Sequence, residues 1–293
     1  MASTISRREF VGTVATSGAI IAAGNPPASG QSAPQAQAGG RGRAKAVIDS
    51  HVHLKHGDAA RTEFPARVIV DIMNQAGIDK SIVFAMCTTT QRSIEMAERA
   101  VAEYPDRLIP YAYALPHYER PVIKELESAL AGRLFRGIKI HAGECTLPEY
   151  IIDPVLKLAG RFHVPCLIDA AGNQAAAKRL AQAFPENTII FAHMGAYGTK
   201  NAKLVDAFIQ LAEDHRGVRL DLSGVALEAK IGEAVRRLGA GKLIWGTDGP
   251  YAHPNLVTFA RDELEKVRRL PISQAEKDDI LGGNIARLVH AAG

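Results

Sequence analysis

The chain has 293 residues, of which 47% are hydrophobic and 23% charged, and its formal net charge at pH 7 is +4. This length suits one large domain or at most two. The weak positive charge, without a basic cluster or an aromatic platform, argues against nucleic-acid binding, and the three cysteines are too few for a disulfide scaffold.

The first 38 residues are predicted to be an export signal rather than part of a fold. Arg7 and Arg8 form a twin-arginine pair, a mildly apolar run covers residues 11–24, and an Ala-Gln-Ala cleavage triplet follows. The apolar run is shorter than the about 20 residues of a spanning helix. We therefore expect a twin-arginine-type signal and linker over residues 1–38, recognised by the twin-arginine export machinery, and a periplasmic chain over 39–293 without a stable membrane anchor. A disordered tail is the alternative interpretation.

The first predicted strand carries two histidines. In AVIDSHVHL, residues 46–54, an apolar run contains Asp49, His51 and His53. Side chains at positions i and i+2 of a strand point to the same face, so the two imidazoles converge on one place. Neutral imidazole is the commonest metal ligand in proteins, and the spacing therefore indicates a metal site.

Further along the chain, short β-branched runs alternate with amphipathic stretches. Helical patterns include PARVIVDIMNQAG, with Pro65 at its start and Gly77 just past its end, and SQAEKDDILGGNIARLVHAA, which opens with a capping box from Ser273 to Glu276. The strand candidates are AVIDSHVH, SIVFAMC, LIPYAYAL, GIKIHAG, VPCLIDAAG, TIIFAHMG, VRLDLSGV and KLIWGTDGP. Eight such units in about 250 residues predict an α/β fold, a distorted single-domain (β/α)8 TIM barrel over residues 39–293. No Gly-rich loop follows the first strand, which argues against a doubly wound sheet.

Polar side chains recur near the carboxyl ends of these strands, where a (β/α)8 barrel places its chemistry. The eighth strand of a closed barrel neighbours the first, so Asp248 should lie beside His51 and His53. His193, on the sixth strand, should face the same point. The full set of strand-end residues is Asp49, Cys87, Tyr113, His141, Asp169, His193, Asp221 and Asp248.

The chain resembles the amidohydrolase superfamily, and within it the amidohydrolase-related branch of aminocarboxymuconate-semialdehyde decarboxylase-like enzymes and pyrone-dicarboxylate lactonases. The resemblance implies a barrel with one divalent metal ion, commonly zinc. It further implies that His51, His53 and Asp248 are metal ligands and that His193 is the catalytic histidine. The matching motifs occur in family order: IDSHVHL, GIKIHAG, IIFAHMGAYG, VRLDLSGV, LIWGTDGP and GGNIARLV.

One position departs from the family pattern. The fifth strand of the family ends in a metal-binding histidine, and here Asp169 stands in its place. Zinc accepts carboxylate oxygens, so Asp169 is expected to be the fourth ligand, and the harder ligand shifts the preference towards manganese. Alternatively, Asp169 pairs with Lys139 of the fourth strand. Lys139 and His141 share one face of that strand and are candidate substrate contacts.

The predicted activity is metal-assisted hydrolysis of a small lactone, ester or amide, with or without a carboxylate group. Asp248 would take a proton from water, and His193 would stabilise the oxyanion or protonate the leaving group. Three alternatives stay open: non-oxidative decarboxylation of an unsaturated or aromatic acid, a metal-independent lactonase that uses His193, Asp248 and Lys139, and a ligand-binding barrel without turnover. Tyr111 or Tyr113 and Tyr251 are candidates for the pocket wall. The oligomeric state is left open, and an oligomer is compatible with the sequence.

Overall fold

The strands run parallel in two groups. The computed structural model describes residues 46–58 and 60–291, so the predicted export signal at residues 1–38 lies outside the described part of the chain. One sheet has the order β1-β2-β3 and the other β4-β5-β6-β7-β8-β9, with parallel pairing throughout. The strands are β1 Ile48–Lys55, β2 Lys80–Ala85, β3 Leu108–Pro110, β4 Ala112–Ala114, β5 Ile138–His141, β6 Cys166–Asp169, β7 Ile189–Phe191, β8 Val218–Asp221 and β9 Leu243–Ile244.

The predicted third strand is one chain segment that joins the two sheets. It forms β3 and β4, which are separated by Tyr111. The Tyr111 amide donates to the Val83 carbonyl at 3.0 Å, and the next amide, of Ala112, donates to the Gly137 carbonyl at 2.9 Å. Consecutive amides therefore bind neighbours on opposite sides, and the two groups form one continuous wall.

The first and last strands meet at a seam, here defined as β1 and the segment 245–249 that follows β9. Within the described seam, sheet-like pairing is limited to one isolated bridge, between Val52 and Gly249. The Asp49 carboxylate adds a side-chain link, because it accepts from the Thr247 amide at 2.9 Å and hydroxyl at 2.7 Å. Three backbone hydrogen bonds cross the seam: Ser50 N to Trp245 O (3.2 Å), Asp248 N to His51 O (2.8 Å) and His53 N to Gly249 O (2.8 Å). The eight strand segments thus form the predicted distorted (β/α)8 barrel.

Helices follow the strands and cover the barrel. Gly77 ends α1 with φ of 79°, a left-handed conformation suited to glycine, and the predicted capping box of Ser273 and Glu276 is present at the start of α9. No described helix is long and apolar enough to cross a membrane. The helices are α1 Ala66–Ala76, α2 Thr90–Glu103, α3 Ile123–Ala131, α4 Glu149–Phe162, α5 Gln174–Ala183, α6 Ala202–Asp214, α7 Ala229–Leu238, α8 Leu256–Arg268, α9 Gln274–Asp278 and α10 Asn284–Ala291, with a π-helical turn at Asp279–Gly283.

The barrel interior is apolar at the end where the strands begin. Ile285 and Val289 of α10 pack into the same buried cluster as Ile48, Ile82 and Ile244. This end is therefore closed by α10, and the polar strand-end residues lie at the opposite end.

Two buried aromatic side chains are held in place, one by close packing on a glycine and the other by a hydrogen bond. The Tyr111 ring packs directly on Gly137, where a Cβ atom would lie only 2.4 Å from the ring. Trp245 is buried beside the seam, and its indole N–H donates to the Glu263 carbonyl oxygen at 3.0 Å.

Candidate active site

The predicted ligands of the first and last strands converge on one carboxylate oxygen. The Nε2 atoms of His51 and His53 lie 2.9 Å and 2.8 Å from Oδ1 of Asp248. The backbone turns sharply at Asp248, where φ is 62°. The other carboxylate oxygen of Asp248 accepts a hydrogen bond from the Tyr251 hydroxyl at 3.0 Å. Asp248 therefore lies beside both histidines, as the sequence led us to expect.

His193 reaches the same point from the segment that follows β7. Ligand atoms of His51, His193 and Asp248 all lie within 4.8 Å of one another, and all three residues are buried. His193 and the following Met194 have φ values of 60° and 50°, in the left-handed region. Such conformations are costly for residues other than glycine and often occur at functional sites.

The carboxylate of Asp221, at the end of β8, orients His51 and His193. Its Oδ2 atom lies 3.3 Å from Nδ1 of His51 and accepts from the His193 backbone amide at 3.1 Å. The Ser223 hydroxyl lies 3.1 Å from Nδ1 of each ring. With Nδ1 occupied, Nε2 of His51 is directed at Asp248, the arrangement by which a carboxylate fixes a metal-binding imidazole.

Asp169 is engaged by two imidazoles. Its Oδ2 atom lies 3.1 Å from Nε2 of His141 and 3.4 Å from Nε2 of His193, and its Oδ1 atom accepts from the Ala171 amide at 2.7 Å. Burial raises the pKa of Asp169, but these hydrogen bonds outweigh burial and hold it far below its usual range. Whether Asp169 also binds a metal stays a prediction.

Lys139 lies beneath the cavity rather than on its wall. The side chain is fully buried, its Nζ atom is 2.8 Å from Nε2 of His51, and it lies 5.1 Å from the centre of the Phe84 ring. Among the described residues, Lys139 forms no direct ion pair with Asp169, in contrast to the alternative raised by the sequence. Burial lowers the pKa of Lys139, although Asp169 and the other carboxylates oppose this effect.

The protonation of the imidazoles depends on these neighbours. Burial lowers the pKa of His53 to about 3, against the opposing effect of Asp248, so this ring is neutral at pH 7 and available as a ligand. Burial also favours neutral His193, but the carboxylates of Asp248, Asp169 and Asp221 outweigh it and raise the pKa to about 9. His193 is therefore suited to donate a proton.

A cavity of about 450 Å³ opens onto this cluster at the carboxyl ends of the strands. Its size is that of a small-molecule site. His141 lines the cavity, as the prediction of a substrate contact requires, whereas Tyr111 is buried inside the barrel and lines no part of it. The lining consists of His53, His56, Gly57, Asp58, Met86, Cys87, His141, Gly143, Glu144, Asp169, His193, Tyr197, Asp248 and Tyr251.

Several of these residues were not identified from the sequence. His56 stacks on His53 and packs at a tilt against Tyr251, with ring centres 4.5 Å apart in both pairs. Cys87, one of the predicted strand-end residues, donates its thiol proton to the Glu144 carboxylate at 3.0 Å, a contact that the sequence did not predict. Glu144 lies in the loop after β5, and a loop position carries no periodic signal. Asp221 did carry a periodic signal, since it was among the predicted strand-end residues.

The donor set fits a divalent cation. Imidazole nitrogen and carboxylate oxygen are the ligands that zinc and manganese accept, and at least three such groups converge here. The oriented Nδ1 atom of His51 supplies the outer support that metal-binding histidines usually have. His51, His53, Asp248 and either His193 or Asp169 are the residues that could hold the ion.

Comparison with known proteins adds the following findings. A family model described as amidohydrolase matches residues 48–290. No curated protein matches the chain.

Solved structures share the fold at low sequence identity. An amidohydrolase from Burkholderia multivorans with bound zinc is 14% identical with a TM-score of 0.66, covering 84% of this chain and 99% of that chain. The 5-carboxyvanillate decarboxylase from Sphingomonas paucimobilis is 17% identical with a TM-score of 0.63, covering 84% and 99%. A probable 2-pyrone-4,6-dicarboxylic acid hydrolase from Acinetobacter baumannii, with citric acid bound, is 17% identical with a TM-score of 0.63, covering 83% and 99%.

Proposed function

The chain belongs to the amidohydrolase family, whose model it matches over residues 48–290, and we propose that this enzyme is a metal-dependent hydrolase of small lactones, esters or amides. The observation that carries the proposal is the convergence of His51, His53 and Asp248 at the floor of the cavity. A single divalent ion is the proposed cofactor, and zinc is the first choice because a solved relative of this fold contains it.

The chain's own residues supply the proton transfers of a hydrolysis. A divalent ion bound by these ligands would polarise the substrate carbonyl and make an adjacent water more acidic. Asp248 is the proton acceptor, because it is held ionised at the floor of the cavity by the imidazoles, which hold its pKa well below its usual value despite burial. The Tyr251 hydroxyl fixes the orientation of this carboxylate.

His193 is the proposed proton donor to the leaving group. Its Nε2 atom faces Asp169, while Nδ1 lies 2.9 Å from the Ser223 carbonyl oxygen and is thereby fixed. A protonated imidazole in this position can also stabilise negative charge that develops on the carbonyl oxygen. The roles of Asp248 and His193 are thus the two halves of general base and general acid catalysis.

Elemental analysis of untreated protein, paired with product analysis, tests the proposal. We expect about one divalent ion per chain, loss of that ion in the double variant His51→Ala, His53→Ala, and ester or lactone cleavage that chelation abolishes. Asp169→Ala in the same assay shows whether Asp169 belongs to the ligand set. Release of carbon dioxide from an aromatic or unsaturated acid, without cleavage of esters, lactones or amides, would replace hydrolysis by decarboxylation.

One observation favours a second candidate, a lactonase that works without a metal. The Lys139 Nζ atom lies 2.8 Å from Nε2 of His51, so the chain has its own cation at the nitrogen that an ion would use. For this candidate, activity persists after chelation and is lost in Lys139→Met. For the metal-dependent enzyme, Lys139→Met removes a competing cation, and we expect it to retain the ion. Activity after chelation and metal content of this variant therefore separate the two candidates.

A further inference from the structure

Glu144 projects a carboxylate into the cavity with every hydrogen-bond partner arranged as a donor. The backbone N–H of Cys87 lies 3.1 Å from both carboxylate oxygens, the Cys87 thiol donates to Oε1 at 3.0 Å, and the Tyr113 hydroxyl donates to Oε2. An ionised carboxylate only accepts hydrogen bonds, so this set of partners matches the ionised form. The left-handed conformation of Cys87, with φ of 51°, is part of this arrangement.

The partners of Glu144 do not neutralise its charge. Burial and the hydrogen bond to Glu144 raise the pKa of the Cys87 thiol to about 11, so the thiol keeps its proton at neutral pH. Burial and the same carboxylate also raise the pKa of Tyr113 well above its usual value. Both side chains are therefore neutral donors, and the negative charge of Glu144 remains on the cavity wall.

On the described cavity wall, the cationic imidazole of His193 faces the Asp169 carboxylate, and no lysine or arginine offsets the charge of Glu144. The lining contains four carboxylates, Asp58, Glu144, Asp169 and Asp248, and neither lysine nor arginine. Lys139 is buried below, at His51. The ammonium group of Lys55, outside the cavity, is bound to the Glu63 carboxylate and the Arg61 carbonyl oxygen.

Among the described residues, no arginine lines the cavity itself, although the charge of Arg61 acts on the Cys87 thiol. Arg120 lines a neighbouring depression that Glu144 also borders, and it pairs with Glu125 at 3.2 Å. A carboxylated substrate inside the cavity would therefore meet Glu144 before it met a guanidinium group. The other side of the cavity is aromatic, with the ring centres of Tyr197 and Tyr251 6.0 Å apart, and suits an uncharged organic group.

We propose that Glu144 is a specificity-determining residue that admits uncharged or cationic substrates and excludes those that carry a carboxylate near the reacting bond. The inference rests on the proposed function, since it assumes that substrate binds in this cavity against the metal. Like charges a few ångströms apart in a partly buried site repel by enough to change affinity about tenfold or more.

Two small compounds that bind zinc and differ from each other by one carboxylate test the inference without requiring turnover. We would titrate zinc-loaded protein with butyrohydroxamic acid and with the monohydroxamic acid of glutaric acid, using calorimetry. The wild type should bind the uncharged compound about tenfold more tightly or better, and Glu144→Gln should remove most of that difference. The substitution keeps the size of the side chain and an oxygen acceptor for the Cys87 amide, and a thermal melt confirms that the variant is folded.

Asp58→Asn is the matched control, because it also removes one carboxylate from the lining but at an exposed position where solvent screens the charge. We expect it to change the preference much less than Glu144→Gln. Equal binding of both compounds to the wild type, an unchanged preference in Glu144→Gln, or an equal effect of Asp58→Asn would overturn the role of Glu144 and leave the metal-dependent enzyme intact. A protein that holds no zinc, or that holds zinc and binds neither compound, would instead overturn the proposed function and this inference with it.

Discussion

Asp221 shows how much of the active site depends on a single buried side chain. One of its carboxylate oxygens reaches the His51 ring and the His193 backbone, while the Ser223 hydroxyl donates to that same oxygen. The other oxygen, Oδ1, has no hydrogen-bond partner among the described residues. Asp221 touches no cavity surface, so it is a positioning residue: it sets the direction of the two imidazoles and supplies negative charge beneath them.

Replacement of Asp221 should weaken metal binding more than it weakens the fold. In Asp221→Asn, the amide retains the volume but loses the charge that fixes Nδ1 of His51, and supports of this kind are worth about 10- to 100-fold in metal affinity. Zinc affinity is measured by competition with a chromogenic chelator.

Glu263→Gln is the control for Asp221→Asn. It neutralises another buried carboxylate, one that accepts from the Gly224 amide and pairs with Lys266 rather than with an imidazole. Zinc affinity should be unchanged in this variant. Unchanged affinity in Asp221→Asn would show that the hydrogen bond to His51 does not support the metal site.

The alkylation rate of the Cys87 thiol reports on the charge of Glu144. Because its pKa is raised to about 11, only about a thousandth of the thiol is ionised at pH 8, and alkylation by iodoacetamide should be slow. Glu144→Gln removes the negative neighbour and should lower this pKa, which increases the rate by about tenfold for each unit of the decrease. Peptide mapping by mass spectrometry follows the reaction.

Cys166 serves as the internal control for the alkylation, since its thiol is buried and burial alone raises its pKa to about 12. Its rate should not respond to Glu144→Gln. The same rate for Cys87 in the wild type and the variant would mean that Glu144 carries no charge at this position.

From the sequence it was possible to predict where His51, His53 and Asp248 lie, but not which residues surround them. His51, His53 and Asp248 were found because strand alternation and barrel closure fix where such side chains point. His56 was not predicted, because it lies past the end of β1, where a turn rather than the strand period directs it. Glu144 was missed because its position depends on hydrogen bonds to Cys87 and Tyr113, which come from two other segments.

Among the strands and helices, the third strand segment and the seam are the parts that the sequence predicted least well. All eight predicted strand segments exist, since β-branched runs between amphipathic stretches are a strong signal. The division of the third segment into β3 and β4 was not predicted, because it arises from hydrogen bonds to two neighbours that no local pattern encodes. The seam likewise depends on contacts between segments almost 200 residues apart in the chain, such as Asp49 with Thr247.

Gly137 is the position where the barrel wall tolerates least change. A Cβ atom there would overlap the Tyr111 ring, which is fully buried. Gly137→Ala must displace the ring or the start of β5, which carries Lys139 and His141. Overpacking of this kind usually costs about 1–3 kcal/mol in the free energy of unfolding, which chemical denaturation measures.

Gly241→Ala is the matched control for Gly137→Ala, because a Cβ atom at Gly241 meets nothing within 4 Å. Its unfolding free energy should differ little from that of the wild type. Equal stabilities of the two variants would show that the contact between Tyr111 and Gly137 is looser than the structure indicates.

At the largest scale, the described barrel has one closed and one open end. The α10 helix seals the end where the strands begin, and the acidic cavity occupies the other end. Under the proposed function, substrate enters this barrel at the open end, and the loops after the strands decide what is admitted. The family and the fold were predictable from ordered motifs, whereas the selectivity was not, because it depends on the charge of loop residues brought together in space.

Export of the whole chain remains a prediction from residues 1–38. We expect Arg7→Lys with Arg8→Lys to block export in a bacterial host with a twin-arginine system, and the mature protein to begin near Gly39. Cell fractionation and N-terminal mass spectrometry measure both outcomes. Normal export of the double variant would mean that this segment is not a twin-arginine signal.

The position of Trp245 makes the closure of the barrel visible to spectroscopy. It is the only tryptophan in the chain, it is buried, and its backbone accepts from Ser50 and donates to Ile280, so it belongs to the seam itself. Its fluorescence spectrum will therefore shift to longer wavelength when water reaches the junction of the first and last strands. Comparison of that signal with far-ultraviolet circular dichroism during unfolding would show whether the barrel opens at this junction before its helices melt.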